Sequence, residues 1–200
     1  MHFKILLCFL LFQLPLYAQV KTLIPKEEEV NLPLDSTKEI ILATTLTETR
    51  IGRRELAGIY LDEIKKTLHP DQFFIIDTTP YYIELFIVYP CKVFNLENIQ
   101  KHEIINEGII TSSMYLIFKE GEYDIILKDF EWIDNQKKKT NLNPLYHRYL
   151  RSDNIKEKVK YYGILKSCEM SIADSYSYIT VIIEEVIRQK SLRKEPEQKK

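Results

Sequence analysis

Beyond its first 18 residues, this 200-residue chain offers three histidines, two cysteines and a scatter of carboxylates for chemistry. His69, His102 and His147 stand far apart, and none has a cysteine or carboxylate at metal-ligand spacing, so no zinc motif is present. His69 precedes Pro70 at an expected helix end, where an imidazolium can cap carbonyl groups. Neither Cys91 nor Cys168 belongs to a CxxC pair, and no G-x-S-x-G elbow occurs, which leaves nucleophilic catalysis without a motif. Asp71, Asp77, Glu84, Asp124, Asp129 and Glu131 lie on or beside expected strands but form no recognisable acid-base constellation, and none is assigned a catalytic role. With only five glycines there is no glycine-rich phosphate loop, and no cofactor is expected. Tyr81, Tyr82, Phe86 and Tyr89, with Tyr115, Tyr123, Phe130 and Trp132, supply either a stacking surface for a ligand, glycan or peptide or ordinary cross-strand packing.

The elements that must position these residues follow from periodicity. Residues 39–46 are β-branched and apolar, a first strand. Leu56, Tyr60, Ile64 and Leu68 then recur at steps of four, one apolar stripe on a helix over 53–68 that Pro70 stops. The charged run that opens this helix, with Arg53 and Arg54, reads as a solvated start. Residues 73–77 and 82–89 form strands, the second ended by Pro90, and polar residues 95–106 carry the chain across the sheet. Residues 109–119 and 122–133 flank Glu120 and Gly121, where glycine can take the positive φ of a tight hairpin. Tyr123, Ile125 and Leu127 alternate with Asp124, Ile126 and Lys128, so one face of an antiparallel sheet should meet water or a partner. Residues 134–152, with three consecutive lysines and Pro144, read as a loop. Ser152 and Asp153 can cap a long amphipathic helix over 153–190 in which Val159, Tyr162, Leu165, Cys168, Ile172, Ile179, Ile182 and Val186 recur at steps of three and four. The charged residues 191–200 should be disordered. This order is that of an α+β fold, an antiparallel β-sheet with one amphipathic helix after the first strand and a long C-terminal helix packed on one face.

The first 18 residues address the chain. Lys4 gives a positive start, residues 5–14 are an apolar run, Pro15 breaks it, and cleavage between Ala18 and Gln19 would release the mature protein. The apolar run is too short for a membrane anchor, and Cys8 lies inside it rather than at the cleavage point of a lipoprotein. The expectation is an exported protein, periplasmic or secreted, with no transmembrane helix after signal removal. Residues 19–38, with Pro25, Pro33 and three consecutive glutamates, form an extended lead-in to a single domain over 39–190. An oxidising compartment would allow Cys91 and Cys168 to pair, although both also suit a core as small apolar side chains. With 28 basic and 29 acidic residues the chain is near neutral, and no nucleic-acid partner is implied.

The signal peptide, the helix carrying Glu55, Leu56 and Tyr60 ahead of two strands, and the hairpin Lys119-Glu120-Gly121-Glu122-Tyr123 together resemble a family. It comprises exported proteins of Bacteroidota-type bacteria that carry a domain of unknown function with a TATA-binding-protein-like (TBP-like) fold. The family hairpin reads Lys-Asp-Gly-Arg-Tyr-Arg; this chain departs from it with Glu120 for the aspartate and with Glu122 and Asp124 for the arginines. The resemblance spans residues 39–133 and implies a helix-on-sheet fold, without an activity or site residues to carry over, and the fold name implies no DNA binding. A second resemblance is to the lipopolysaccharide-assembly lipoproteins, whose lipobox cysteine is missing here. The leading expectation is a non-enzymatic domain of the cell envelope or periplasm that binds an envelope protein or glycan. The alternatives are an envelope hydrolase assembled only in three dimensions and a carrier of an apolar ligand between the long helix and the sheet.

Overall fold

Alternating strands and a four-residue apolar stripe need a shared interior, and the computed structural model shows how they build one. It describes residues 29–48, 50–94 and 104–193. The predicted signal peptide with its Ala18–Gln19 cleavage point, His102 and residues 194–200 lie outside that set. The described elements run β1 (Leu42–Thr47), α1 (Arg53–Thr67), a 3-10 turn (Pro70–Gln72), β2 (Phe73–Thr79), β3 (Tyr82–Phe94), β4 (Ile104–Phe118), β5 (Glu122–Asp134), β6 (Lys139–Asn141), α2 (Leu142–Arg151) and α3 (Ile155–Arg193). The sheet order is β1-β5-β4-β3-β2, with β6 also beside β5, and every pairing is antiparallel. The result is the expected α+β arrangement, an antiparallel sheet with its helices, the long C-terminal one included, on one face.

One sheet face is apolar. Ile83, Leu85 and Ile87 of β3 meet Met114 and Leu116 of β4 and Ile125 and Leu127 of β5, all essentially without solvent exposure. Tyr60 of α1 sets its ring 5.5 Å from Phe118 and 5.2 Å from Tyr123. Tyr146 and Tyr149 of α2 stack at 6.2 Å, and Tyr149 lies 6.4 Å from Tyr162 of α3, so the tyrosines around the start of the long helix seal it to the core. From there α3 buries Leu165, Cys168, Ile172, Ile179, Ile183 and Ile187 along its length.

The β4–β5 hairpin forms where expected, with Gly121 at φ 77° and the Lys119 N–H donating to the Glu122 carbonyl at 2.9 Å. Farther along β5 the ladder holds an irregularity. Thr111 faces Glu131 and Ser113 faces Lys128, so β5 carries one residue more than β4 between those pairs, and Asp129 takes φ 60°. This bulge switches the buried side from Tyr123, Ile125 and Leu127 to Phe130 and Trp132, which keeps the covered face apolar past the bend.

Several expectations are corrected. β3 continues through Pro90 to Phe94, because β2 pairs with β3 only up to Ile87 and leaves no ladder on that side for proline to break. Residues 95–103, most of the segment expected to carry the chain across the sheet, lie outside the described residues; on either side of them Phe94 pairs with Ile104, and β3 and β4 are antiparallel neighbours. The expected loop over 134–152 holds β6 and α2; Pro144 sits in the first helical turn, where an N–H has no intrahelical partner to lose, and Asn141 caps that turn by accepting from the Asn143 N–H at 2.9 Å. Asn154, rather than Ser152 or Asp153, accepts at the start of α3, from the Glu157 N–H at 3.4 Å. The described part of the lead-in, residues 29–38, packs: Val30 and Leu32 are buried, and the Tyr146 hydroxyl donates to the Val30 carbonyl at 3.3 Å. α3 also extends past 190, and the Ser191 hydroxyl donates to Glu48 Oε2 at 2.6 Å.

Candidate functional site: the uncovered sheet face

Because strand side chains alternate, the residues between the buried ones all point away from the helices. No described element lies over that face. Phe74 of β2, Tyr82, Glu84 and Phe86 of β3, Tyr115 and Ile117 of β4, and Asp124, Ile126 and Lys128 of β5 populate it, most of them half-buried by one another. Phe74 lies opposite Phe86 with ring centroids 6.4 Å apart, and Tyr82 lies 6.0 Å from Tyr115. Lys128 Nζ stands 4.7 Å over the Tyr115 ring, a cation on an aromatic face. The aromatic row reaches the sheet edge at β2, where Phe74 is 57% and Ile76 56% exposed. Ile76 is the extra residue between the pairs Ile75–Leu85 and Asp77–Glu84, a bulge that disrupts the edge as a template for further strands.

Polar groups on this face hold one another. The Tyr82 hydroxyl donates to Glu84 Oε2 at 2.7 Å; desolvation followed by this bond pushes the phenol above its ordinary range. Asp124 accepts from Lys119 Nζ at 2.8 Å and from the Thr45 hydroxyl at 2.6 Å, and the Lys119 bond above all holds its carboxyl below the usual range. Asp124 is therefore ionised at neutral pH and cannot serve as a proton donor there. At the rim, Arg53 places Nε 3.4 Å from Glu120 and its guanidinium 4.2 Å over the Tyr81 ring. The expected solvated helix start thus ties α1 to both the β2–β3 and the β4–β5 turns.

The other candidates scatter. Cys91 of β3 and Cys168 of α3 are buried on the covered face with their sulfurs 4.0 Å apart. His69 does not cap carbonyls; its Nδ1 accepts from the Asp71 N–H at 3.4 Å while Gln72 Oε1 accepts from the His69 N–H at 2.9 Å, a capping box on the 3-10 turn. His147 Nε2 lies 2.8 Å from the Lys38 carbonyl oxygen. Among the described residues no group of three His, Cys, Asp or Glu side chains is placed to hold a metal. The eight aromatics divide by face: Tyr89, Tyr123, Phe130 and Trp132 are core, while Tyr81, Tyr82, Phe86 and Tyr115 are not. What sequence reasoning missed is the Asp129 bulge, although the apolar alternation changes phase there, from 123, 125 and 127 to 130 and 132. It also missed Lys128 on Tyr115, which no local pattern announces. Among the described residues no helix is long and apolar enough to cross a membrane.

No family model matches the chain, and no curated protein matches it. Solved structures do. A TBP-like protein from Parabacteroides distasonis is similar with a TM-score of 0.58 at 10% identity, over 76% of this chain and 97% of that one. A DUF4468 family protein from Bacteroides ovatus is similar with a TM-score of 0.55 at 8% identity, over 82% of this chain and 94% of that one. The resemblance read from the helix and the hairpin therefore holds at the level of the fold, and this chain has a TBP-like α+β architecture similar to that of these two proteins.

Proposed function

We propose that this chain is an exported, non-enzymatic binding or structural domain of the cell envelope or periplasm that engages an envelope protein or glycan through its uncovered sheet face. The observation that carries the reading is the aromatic row on that face, Phe74 beside Phe86 and Tyr82 beside Tyr115, with Lys128 on the Tyr115 ring. Flat aromatic surface with charged groups at its edge suits stacking on sugar rings or packing against apolar side chains. Export is supported by the Lys4 start, the short apolar run and the Ala18–Gln19 junction. The carboxylate best placed for chemistry here, Asp124, is engaged by two donors that tie strands together, which favours binding over hydrolysis. For a carrier, the clefts between α3 and the sheet, beside Tyr178 and beside Glu184, are open and lined by mixed polar and apolar groups, and between them the side chains of Cys91 and Cys168 meet directly, an arrangement that suits an enclosed apolar ligand less than a binding face.

The test is co-purification and pull-down from solubilised envelope, comparing the wild type with a Phe86→Ala/Tyr115→Ala variant of unchanged circular dichroism. The wild type should retain a specific protein or glycan, and the variant should lose at least about tenfold in affinity, as expected when central aromatic contacts are removed. A wild type that retains nothing, or a variant that retains as much, overturns the reading. N-terminal sequencing of the native protein should begin at Gln19; a start at Met1 removes the export part.

A further inference from the structure

The two thiols of the described chain lie together where the long helix crosses the sheet. Cys91 sits near the C-terminal end of β3 and Cys168 in the first half of α3, separated by 77 positions in sequence, with sulfurs 4.0 Å apart and both side chains buried. A disulfide needs the sulfurs at about 2.05 Å, a further approach of about 2 Å. The two thiols share an S–H···S contact in which either sulfur can donate. That bond above all, then burial, raises the Cys168 thiol well above its ordinary range, and the same bond lowers Cys91. Two thiols in mutual contact at the middle of a helix–sheet interface are a cross-linking pair by position.

We propose that Cys91 and Cys168 form a disulfide that fastens α3 to β3. The exchange is balanced by a disulfide oxidant. One cysteine thiolate attacks the oxidant's S–S bond, forming a mixed disulfide and releasing one oxidant thiol. The second cysteine thiolate then attacks the protein-side sulfur and displaces the other oxidant thiol, so the chain loses two electrons and two protons while the oxidant gains them. Because neither sulfur is accessible once the core closes, the exchange occurs while α3 is still undocked. The proposal rests on the export reading only for the compartment that supplies the oxidant.

The full chain, reduced and denatured, is refolded in a buffer of oxidised and reduced glutathione, trapped with N-ethylmaleimide and digested without reduction. The expected result is a linked peptide pair containing Cys91 and Cys168, which mapping distinguishes from any bridge to Cys8. The oxidised protein should melt about 10 °C above the reduced one, as for a bridge closing a long loop, and a Cys91→Ala/Cys168→Ala variant should show no redox dependence of Tm. Both thiols labelled after refolding would overturn the proposal, as would equal melting of the two redox forms. The same trapping on protein from the producing cells, with its N-terminus sequenced, separates the two readings: free thiols in a chain that begins at Gln19 overturn the bridge and leave export standing, whereas free thiols in a chain that begins at Met1 remove export and leave the pairing seen in glutathione.

Discussion

On β4, Leu116 and Ile117 are neighbours of nearly equal volume with different surroundings. Leu116 has no solvent exposure, sitting between Ile83 and Ile125 under the helices, whereas Ile117 is half-buried between Tyr82 and Asp124 on the uncovered face. The same contrast runs across β3 and β5. The covered face is held by close-packed aliphatic groups and tyrosine rings from α1, α2 and α3. The other is a thinner layer of aromatics, a lysine and paired polar groups. A sheet needs only one buried face to fold, so the second is free to be shaped by other demands.

The comparison predicts unequal costs. Leu116→Ala should lose about 3 kcal/mol of stability in urea unfolding, because it empties space that neighbours cannot fill, whereas Ile117→Ala should lose about 1 kcal/mol or less. Equal losses would break the distinction between the faces. A smaller effect is expected where the faces exchange parity. Asp129 holds φ 60°, and Asp129→Val should cost about 1.5 kcal/mol in the same measurement, since a β-branched residue is strained in the left-handed region, while Asp129→Gly should not destabilise. The smallest belongs to the uncovered face. Asp124 has its carboxyl lowered by Lys119 and Thr45, so its contribution is present above the unfolded carboxylate value near 3.9 and is lost as pH falls through the lower folded value. Asp124→Asn should therefore flatten the acid limb of the stability profile below about pH 4 and leave the profile above it parallel to the wild type.

Where apolar spacing was strict, the elements were legible. The helix over 53–67, the β4–β5 hairpin with its glycine and the long final helix each follow from a local period and a local stop. Pro90 and Pro144 misled for one reason. Proline is a breaker only where an N–H has a partner to lose, and neither position provides one: β3 has no ladder on that side beyond Ile87, and Pro144 stands in the first turn of α2. The partners lie on other elements, so no local window shows them. The candidate site was legible as an alternation that leaves one face unclaimed by the core. Which aromatics it would receive was not legible, because register sets the face, and the extra residue at Asp129 shifts the parity of everything after it.

By itself the sequence determined the helix over 53–67, the long final helix, most of the strands and the place of the tight turn, and with them the resemblance to a TBP-like fold. These depend on side-chain periodicity and φ preferences that act over a few residues. Only the tertiary structure decided that Phe74 meets Phe86 and Tyr82 meets Tyr115 on an uncovered face, that Lys128 covers Tyr115, and that Cys91 and Cys168 touch. Each of those pairs joins separate elements, and strand register together with helix docking sets the distance between them.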